Sequence, residues 1–367
     1  MRIAIDIRSL MEGRHSGVEE YATEIIKGLL RVGPEHSYIL FYNSWKPVNL
    51  PHFDGDVEVR GFRFPNKIFN ITQWLFSYPL WDSLVDADVF FVPNSRLTPL
   101  SRSVPLVSVA HDISFELFPE FLTFRRKIWH AIMRPRRLFL SSDVVIAVSE
   151  HTAEDLSRVY SLAPSHVRVV HSGVSLIDSS AMNVGDIYNL PDKFFFYLGT
   201  IEPRKNLPSL IKAYSEIASL VPHDLVIAGE SGWRESELLE AIDFSGIEDR
   251  VHVLGFVPED HKHALMKMAD LFVYPSFYEG FGFPPIEALL SGTPVITSFN
   301  SSLPEVVGDY AVLIDPYNVS ELALVLREML LNLPKVPFEV RSALAQTYSW
   351  DRAAKETLAI IEDVALV

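Results

Sequence analysis

The sequence predicts an α/β protein that consists of two parallel-sheet domains. Its 367 residues are more than one ordinary hydrophobic core accommodates. Short apolar strands alternate with helical patterns along the whole chain, which is typical of parallel α/β domains. A polar stretch rich in small residues, SLIDSSAMNVGDIYNLP at 175–191, separates two such series. We therefore expect domains over 1–175 and 190–345, with a terminal helix over 349–367 that packs back on the first.

Eleven segments have the composition of buried strands. Three of them share a pattern in which an Asp precedes an apolar run and Ser or Asn closes it: DADVFFVPNS from Asp86, SSDVVIAVSE from Ser141 and MADLFVYPSF from Met268. We interpret each Asp as lying at the start of its strand, which leaves the polar closing residue at the carboxyl end. The other eight predicted strands are 3–7, 38–42, 106–110, 167–170, 194–198, 225–227, 251–254 and 295–297.

Composition excludes several classes of function. The formal net charge of −15 and the pI near 5.2 argue against a nucleic-acid partner, which requires a surplus of Lys and Arg. The absence of cysteine rules out disulfides and thiolate chemistry and favours a reducing compartment. The opening MRIAIDIRSL alternates as a strand does and lacks the features of a signal peptide. No apolar run reaches the ~20 residues of a membrane span, so we expect a cytosolic protein.

The segment YEGFGFPPIEALLSG, residues 278–292, places two carboxylates around a glycine-rich turn. The apolar run LFVYPS precedes it as a strand, and PPIEALLSG follows as a helix that opens on proline and closes at Gly292. Glu279 therefore lies in the turn and Glu287 on the helix. Ligands of parallel α/β domains bind beyond the carboxyl ends of the strands, which is where this turn lies.

A basic pair follows the first strand of the second domain. In YLGTIEPRKN, Arg204 and Lys205 come between a strand end and the amphipathic helix LPSLIKAYSEI. Two cations near a helix N-terminus form a site for a multiply charged anion such as a diphosphate. The alternative is a solvated pair that caps a surface loop.

Together these motifs resemble a known enzyme family. GTIEPRKN, YEGFGFPPIEALLSGTPVI and LPEVVGDYAVLIDP are similar to the second domain of the glycosyltransferases of family 4, and RHSGVEEYATEIIKGLL and AHDISFELFPEF are similar to their first domain. These are retaining enzymes of the GT-B fold that use nucleotide-sugar donors. The resemblance implies two Rossmann-like domains that face each other across a cleft. The N-terminal domain would bind the acceptor and the C-terminal domain the donor.

The resemblance also implies roles for individual residues. Arg204 and Lys205 would bind the donor diphosphate and stabilise it as leaving group. Glu279 would contact the donor sugar, Glu287 the ribose hydroxyls, and His111 would sit beside the reacting sugar. The implied catalytic residues are His111, Arg204, Lys205 and Glu279, and the implied donor-binding residues are Gly17, Gly199, Glu259, Gly280, Phe281, Gly282, Phe283 and Glu287. Glycine at 280 and 282 would let the backbone approach the sugar and phosphate, because a Cβ would hold it away.

Retention by this family is usually assigned to front-face attack, in which catalysis consists mostly of positioning and leaving-group stabilisation. No metal ligand is expected, because Asp86-Ala87-Asp88 precedes its strand and lies at the wrong end for a ligand site. The rings of His261 and His263, two residues apart, would point away from each other on a helix. For His111 the alternative is a core histidine or a helix cap.

The donor and acceptor follow mainly from the resemblance. Glu259 or Asp260, in GFVPEDHKHAL, would accept from the N1–H and amino group of guanine, which favours a GDP-linked donor. The alternative is a helix N-terminus that simply prefers acids. The chain looks most like bacterial mannosyl- or rhamnosyltransferases of surface polysaccharide, including lipopolysaccharide, so we expect hexose transfer, with mannose favoured, to a glycan or lipid-linked acceptor. The rival functions are a sugar-nucleotide epimerase and a catalytically silent nucleotide-sugar-binding partner.

Two segments of the first domain indicate contact with a membrane. IFNITQWLFSYPLW, residues 68–81, has no charge and is rich in aromatic residues, whereas RRKIWHAIMRPRR, residues 125–137, has six basic residues and no acid. Aromatic side chains at the lipid interface and basic ones on phosphates would suit a peripheral contact with anionic lipid. The alternative is one packed helix and one solvated helix.

Overall fold

The computed structural model describes residues 1–11, 17–101, 103–175 and 183–366, and the side chains at 66 and 67 are not described. The chain forms two compact units, Met1–Gly173 with Tyr348–Val367, and Val174–Thr347. Part of the polar stretch expected between the domains, residues 176–182, lies outside the described residues.

Each unit contains one sheet in which all the paired strands are parallel. The first sheet has seven strands in the order β3-β2-β1-β4-β5-β6-β7, and the second has six in the order β10-β9-β8-β11-β12-β13. The strands are β1 (Arg2–Asp6), β2 (Ser37–Asn43), β3 (Val57–Phe62), β4 (Val89–Val92), β5 (Leu106–Ala110), β6 (Val144–Ala147), β7 (Val167–Val169), β8 (Phe194–Leu198), β9 (Asp224–Ala228), β10 (Val251–Gly255), β11 (Leu271–Tyr274), β12 (Val295–Ser298) and β13 (Val312–Ile314).

Helices follow most of the strands, as parallel connections require. They are α1 (Gly17–Val32), α2 (Asn66–Phe76), α3 (Ser114–Leu117), α4 (Phe124–Met133), α5 (Pro135–Ser141), α6 (Glu150–Tyr160), α7 (Val184–Tyr188), α8 (Leu207–Ile217), α9 (Glu235–Asp243), α10 (Glu259–Met268), α11 (Phe283–Ser291), α12 (Leu303–Val307), α13 (Val319–Leu331), α14 (Phe338–Thr347) and α15 (Trp350–Ala365). Among the helices of the described ranges, none combines the length and the apolar character needed to cross a bilayer.

The eleven predicted strands are all present, and two further strands, β3 and β13, complete the sheets. The central strands are continuous apolar runs because helices cover both faces of a parallel sheet, and all four residues of β4 are buried. The edge strand β3 is mostly exposed or half-buried, and the edge strand β13 has only three residues. Strand β3 (VEVRGF) has no continuous apolar run, and β13 (VLI) has a short one; the other two edge strands, β7 and β10, were predicted.

Aspartates at the strand starts have a structural role, as predicted. Asp88 Oδ2 accepts a hydrogen bond from the backbone N–H of Arg2 at 2.6 Å, and Asp143 Oδ2 accepts one from the N–H of Leu106 at 2.8 Å. Each carboxylate thus satisfies the first backbone donor of the neighbouring strand. The Asp86-Ala87-Asp88 sequence lies at the amino end of the sheet.

The basic segment at 125–137 forms two helices. Arg134 ends α4 in a left-handed conformation, with φ of 49°, and Pro135 begins α5. Proline disfavours a helical conformation in the residue that precedes it, which explains the break.

Helix α15 returns the chain to the first unit and packs on α1. A Cβ on Gly28 would lie only 2.7 Å from the Cβ of Ala354, so glycine at this position permits the close approach of the two helices. Trp350, at the start of α15, packs edge-on against Tyr21 of α1, with 5.6 Å between ring centroids.

The strand order of both sheets reverses beside the first strand of each unit. In the first sheet the reversal lies between β1 and β4, and in the second it lies between β8 and β11. At such a point the helices after the two adjacent strands lie on opposite faces of the sheet, which leaves a crevice at the carboxyl ends. These two crevices are where ligand sites are expected.

Candidate functional site

In the second unit, the segments after β8 and β11 meet at the reversal point. Phe277 N donates to Arg204 O at 2.8 Å, which joins the two segments through the backbone. Asn206, in a left-handed conformation with φ of 60°, donates from Nδ2 to Pro275 O at 3.1 Å and to Pro316 O at 2.8 Å. The Asn206 amide thereby anchors the loop that carries the basic pair.

An ion cluster occupies this crevice. Glu279 Oε1 accepts from Lys205 Nζ at 2.6 Å and from Ser276 Oγ at 2.6 Å, and Glu279 Oε2 accepts from Arg204 Nη1 at 2.8 Å. Arg204 also pairs with Glu202, with Nη2 and Oε1 2.8 Å apart. The structure therefore brings together Arg204, Lys205 and Glu279, which sequence reasoning had placed in one site, and balances the two cations with two carboxylates.

Burial and charge oppose each other at Glu279. Burial raises the pKa of its carboxyl group, but the charges of Arg204 and Lys205 prevail and lower that pKa to about 2. The pKa of Lys205 is lowered, first by burial and then by Arg204, while Glu279 opposes the shift. The site thus holds a fully ionised carboxylate between two cations that are largely removed from water.

Tyr274, the last residue of β11, was not predicted from the sequence as part of the site. Its hydroxyl accepts from Lys205 Nζ at 2.7 Å, and its ring stacks on Tyr197 with centroids 5.8 Å apart. Burial raises the pKa of both phenols well above the ordinary value, so both remain neutral. In the sequence, the one feature that points to Tyr274 is its position as a residue with a polar hydroxyl at the end of a buried strand.

The glycine-rich turn is fixed by the start of α12. Glu279 N donates to Ser301 Oγ at 3.0 Å, and Ser302 Oγ lies within hydrogen-bonding distance of the carbonyls of Glu279 and Phe281. Gly282 has φ of 99°, and a Cβ on it would lie 2.8 Å from Leu303 Cδ2. The turn requires glycine at 282 for its backbone conformation, and a Cβ there would also displace the Leu303 side chain.

Gly280, Phe281 and Phe283 complete this turn. Phe281 is buried, and its ring packs edge-on against that of Phe283, with 5.1 Å between centroids. Phe283 is the first residue of α11, which Pro284 and Pro285 continue within its first turn. The N-terminal end of α11 therefore follows directly from the turn that carries Glu279.

A second ion cluster joins α10 and α11. Glu287 is buried, and its Oε1 accepts from Lys262 Nζ at 2.8 Å; Lys262 also pairs closely with Glu259. Burial raises the pKa of Glu259, but His263 and Lys262 lower it more, to about 2. Glu259 and Glu287, both predicted as donor-binding, thus share the buried side chain of Lys262. Lys262 was not predicted as part of the site, because its position in DHKH resembles the solvated start of a helix.

Gly199 and Gly229 lie at the carboxyl ends of β8 and β9, where the two strands approach each other closely. A Cβ on Gly229 would lie 2.0 Å from Gly199 O, so the two strand ends approach as only glycine permits. Gly199 N donates to Ala228 O at 3.0 Å, which continues the ladder up to the loop that carries Arg204.

The remaining predicted residues, His111 and Gly17, belong to the first unit. His111 Nε2 donates to Pro93 O at 2.9 Å, since a carbonyl can only accept, and this leaves Nδ1 as the acceptor of the neutral ring. The ring packs edge-on against Tyr21, with 4.8 Å between centroids, and burial lowers the pKa of His111. Gly17 is the exposed first residue of α1.

Comparison with known proteins agrees with this division. The family described as "Glycosyl transferases group 1" matches residues 187–346, and "Glycosyltransferase Family 4" matches residues 15–177. The chain is 28% identical to O-antigen chain mannosyltransferase B of Escherichia coli, over 74% of this chain and 73% of that protein. It is 32% identical to the serotype-specific mannosyltransferase WbdA of Escherichia coli, over 59% of this chain and 28% of that protein.

Solved structures show the same fold. Sucrose-phosphate synthase from Thermosynechococcus elongatus superposes with a TM-score of 0.75 at 16% identity, covering 99% of this chain and 98% of that one. Anabaena HepE in complex with UDP and glucose gives a TM-score of 0.70 at 19% identity, covering 99% and 100%. The predicted GT-B fold class is thereby confirmed.

Proposed function

Because this chain belongs to the glycosyltransferases, with a family 4 first domain and a group 1 second domain, we propose that it transfers mannose from GDP-mannose to a growing surface glycan, with retention of the anomeric configuration. The observation that carries the proposal is the cluster of Arg204, Lys205 and Glu279 at the reversal point of the second sheet. In the same proposal the first unit binds the acceptor and the second binds the donor.

In this reaction the two cations stabilise the departing diphosphate. The bond between the anomeric carbon and the phosphate oxygen breaks, the bond to the acceptor oxygen forms on the same face, and the acceptor proton passes to the leaving phosphate oxygen. Charge develops on the diphosphate as that bond breaks, so fixed cations in a poorly hydrated site lower the barrier. Both oxygens of Glu279 accept hydrogen bonds from Lys205, Ser276 and Arg204, which favours front-face attack over a nucleophilic role for this carboxylate.

We assign further proposed roles to His111 in the first unit and to acidic residues of the second unit. With Nε2–H held by Pro93 O, Nδ1 of His111 would accept from a hydroxyl of the transferred sugar. Glu259 is held ionised, and its side chain is 50% exposed, so its carboxylate would accept from N1–H and the amino group of guanine. Glu287 would accept from the ribose hydroxyls. No metal is invoked, because the lysine and arginine supply the charge.

The proposal of a polysaccharide acceptor is supported by the relatives of this chain. Two are mannosyltransferases, one of the O-antigen chain. A third, from Campylobacter jejuni, adds N-acetylgalactosamine to a glycan on diphospho-undecaprenol and is 30% identical over 53% of this chain. We therefore propose a glycan acceptor that is lipid-linked.

A peripheral membrane contact fits this acceptor. The exposed apolar residues of α2 and α4, Ile68, Ile71, Leu75, Phe76, Phe124, Ile128 and Trp129, lie on two helices that pack together. Arg125, Arg126 and Lys127 lie on α4 and Arg134, Arg136 and Arg137 follow it, within a chain of net charge −15. This local charge is complementary to an anionic bilayer.

Vesicle binding tests the membrane contact. The protein should co-sediment with phosphatidylglycerol vesicles at low salt, and the double substitution of Phe76 and Phe124 by Asp should abolish this. These two side chains are 73% and 77% exposed, so the change should leave the fold intact. Phe244→Asp, at an 88% exposed residue of the second unit, is the matched control and should bind as the wild type does. Absence of wild-type binding would refute the contact.

The donor site is tested by thermal shift with GDP, UDP, dTDP, CDP and phosphate, with and without magnesium. Stabilisation by GDP alone, unchanged by magnesium, is the expected result. Stabilisation by another nucleotide would refute the guanine assignment, and no shift at all would refute the donor site. Product analysis by NMR then separates transfer with retention from isomerisation of the sugar or no reaction.

A further inference from the structure

The ammonium of Lys205 has a neutral partner as well as a charged one. Its Nζ donates to the Tyr274 hydroxyl at 2.7 Å and to Glu279 Oε1 at 2.6 Å. The contact with Tyr274 is made by the hydroxyl oxygen, since Nζ lies 5.1 Å from the centroid of the ring. A lysine ammonium has three donors, and within the described residues two of those of Lys205 have a partner. The third donor is therefore left for a bound anion.

The two acceptors respond differently to such an anion. Glu279 is ionised, with a pKa of about 2, so it cancels much of the charge of Lys205 and competes with a diphosphate for it. Burial raises the pKa of Tyr274 well above its ordinary value, so its hydroxyl stays neutral. A neutral hydroxyl orients the ammonium through one hydrogen bond and leaves its charge intact. Tyr274 therefore stays a partner of Lys205 when a diphosphate displaces Glu279.

The place of the Tyr274 hydroxyl is fixed by the interior of the second sheet. Tyr274 is 1% exposed and ends β11, and its carbonyl accepts from Thr297 Oγ1 of the neighbouring β12 at 2.9 Å. Its ring stacks on those of Tyr197 and Phe272, with centroids 5.8 Å and 6.0 Å away. These contacts restrict the ring, so the hydroxyl is presented to Lys205 from a rigid support, whereas Glu279 lies in a turn.

We propose that Tyr274 is a positioning residue for the transfer reaction, whose hydroxyl fixes the Lys205 ammonium against the donor diphosphate while Glu279 gives way. The inference rests on the proposed glycosyltransferase function, in which Lys205 stabilises the leaving diphosphate. It adds a residue that acts on the reaction through Lys205 alone. Preorganised donors lower the barrier because they need not reorient as charge develops on the leaving group. Loss of the hydroxyl should therefore affect the chemical step rather than donor binding.

Tyr274→Phe tests the role, because it keeps the ring and its stacking and removes only the oxygen. The release of GDP from GDP-mannose is measured over a range of donor concentrations, with octyl α-mannoside as the acceptor probe. We expect kcat to fall about tenfold, which corresponds to about 1.4 kcal/mol of barrier. The KM for GDP-mannose, and the Kd for GDP by calorimetry, should change by less than about twofold. Unchanged kcat with weaker GDP binding would overturn the positioning role.

Tyr214→Phe is the matched control, because it removes an equally buried hydroxyl from the same unit. The Tyr214 hydroxyl donates to His223 O at 2.7 Å, and that carbonyl keeps a second hydrogen bond, from Arg250 Nη2 at 2.8 Å. Both variants should lower the melting temperature by a similar amount, but only Tyr274→Phe should lower kcat. An equal loss of kcat in Tyr214→Phe would show a general effect of lost stability and would overturn the inference.

A double-mutant cycle tests whether Tyr274 acts through Lys205. In the Lys205→Ala background, Tyr274→Phe should not lower kcat further, because the hydroxyl has no ammonium left to orient. The residual rate is followed with radiolabelled GDP-mannose. Independent losses from the two substitutions, which multiply in the double variant, would contradict a role through Lys205.

The same measurements keep this inference apart from the proposed function. Unchanged kcat in Tyr274→Phe, together with a large loss in Lys205→Ala, overturns the positioning role and leaves the proposed function standing. A wild-type protein that neither binds GDP nor releases it from GDP-mannose refutes the proposed function, and the inference fails with it.

Discussion

Lys205 Nζ lies 2.6 Å from Glu279 Oε1, so the cation proposed to hold the donor diphosphate is already paired with a carboxylate of the same site. Arg204 is paired with the other oxygen of Glu279 at 2.8 Å. A diphosphate that binds these cations must therefore compete with Glu279, which has to turn away or share them. Before a donor binds, the pairing offsets the free-energy cost of burying the two cations in the folded protein.

Glu279→Gln should tighten the binding of GDP while it slows transfer. The amide retains the shape of the side chain but no longer competes with the diphosphate for Lys205 and Arg204. We expect GDP affinity to rise about tenfold by calorimetry and the ligand-free protein to lose about 3 kcal/mol of unfolding free energy, because the buried Lys205 loses its carboxylate partner while Arg204 keeps Glu202. Glu216→Gln, on the exposed face of α8, should change neither quantity. Weaker GDP binding in Glu279→Gln would contradict the competition.

Lys205→Ala should lower the rate of transfer by about 10²–10³ while the protein stays folded, because one preorganised donor to the leaving group is lost. Glu279 keeps its bond to Arg204, so the site does not contain an unpaired carboxylate. Lys212→Ala removes an exposed lysine from the following helix and should transfer normally. Near-normal transfer by Lys205→Ala, measured at saturating donor, would remove Lys205 from the catalytic role.

Gly229→Ala should destabilise the second unit by about 2 kcal/mol and weaken nucleotide binding. The new Cβ would lie 2.0 Å from Gly199 O and would push apart the strand ends that support the Arg204 loop. Gly246→Ala is the matched control, because its φ of 69° is also positive but no atom lies within 4 Å of the new Cβ. It should cost about 1 kcal/mol, from backbone strain alone, and leave nucleotide affinity unchanged. Equal effects of the two substitutions in thermal melts would show that the contact with Gly199 is unimportant.

Transfer should keep its full rate below pH 6.5. Burial lowers the pKa of His111 from its ordinary 6.5, so the ring stays neutral, with Nδ1 as an acceptor, to a lower pH than an exposed histidine. The same shift reduces the unfolding free energy as pH falls below 6.5, where the unfolded chain takes up a proton that the folded ring does not. His111→Gln, which can still donate to Pro93 O, should retain more activity than His111→Ala. An acidic limb of the kcat/KM profile that lies above pH 6.5 would assign a different role to His111.

Local patterns predicted most of the fold. Apolar runs of four to six residues with a leading Asp or a following turn predicted the interior strands, because burial on both faces demands a continuous apolar sequence. Strand β3 was not predicted because charged residues interrupt the apolar ones in VEVRGF, and the three-residue strand β13 was not predicted either, whereas the edge strands β7 and β10 were. The break at Arg134 was likewise missed, although Pro135 is a local signal for it.

The sequence by itself determined the two strand–loop–helix units that carry the basic pair and the glycine-rich turn, and the absence of cysteine chemistry. It did not determine which charged groups pair. Glu279 meets Lys205 across 74 positions of the chain, and Lys262 meets Glu287 from a neighbouring helix. Hydrophobic periodicity specifies only local geometry. The adjacency of β8 to β11, and of β1 to β4, follows from how the helices pack on each sheet, and that tertiary choice created both crevices and the ion pairs within them.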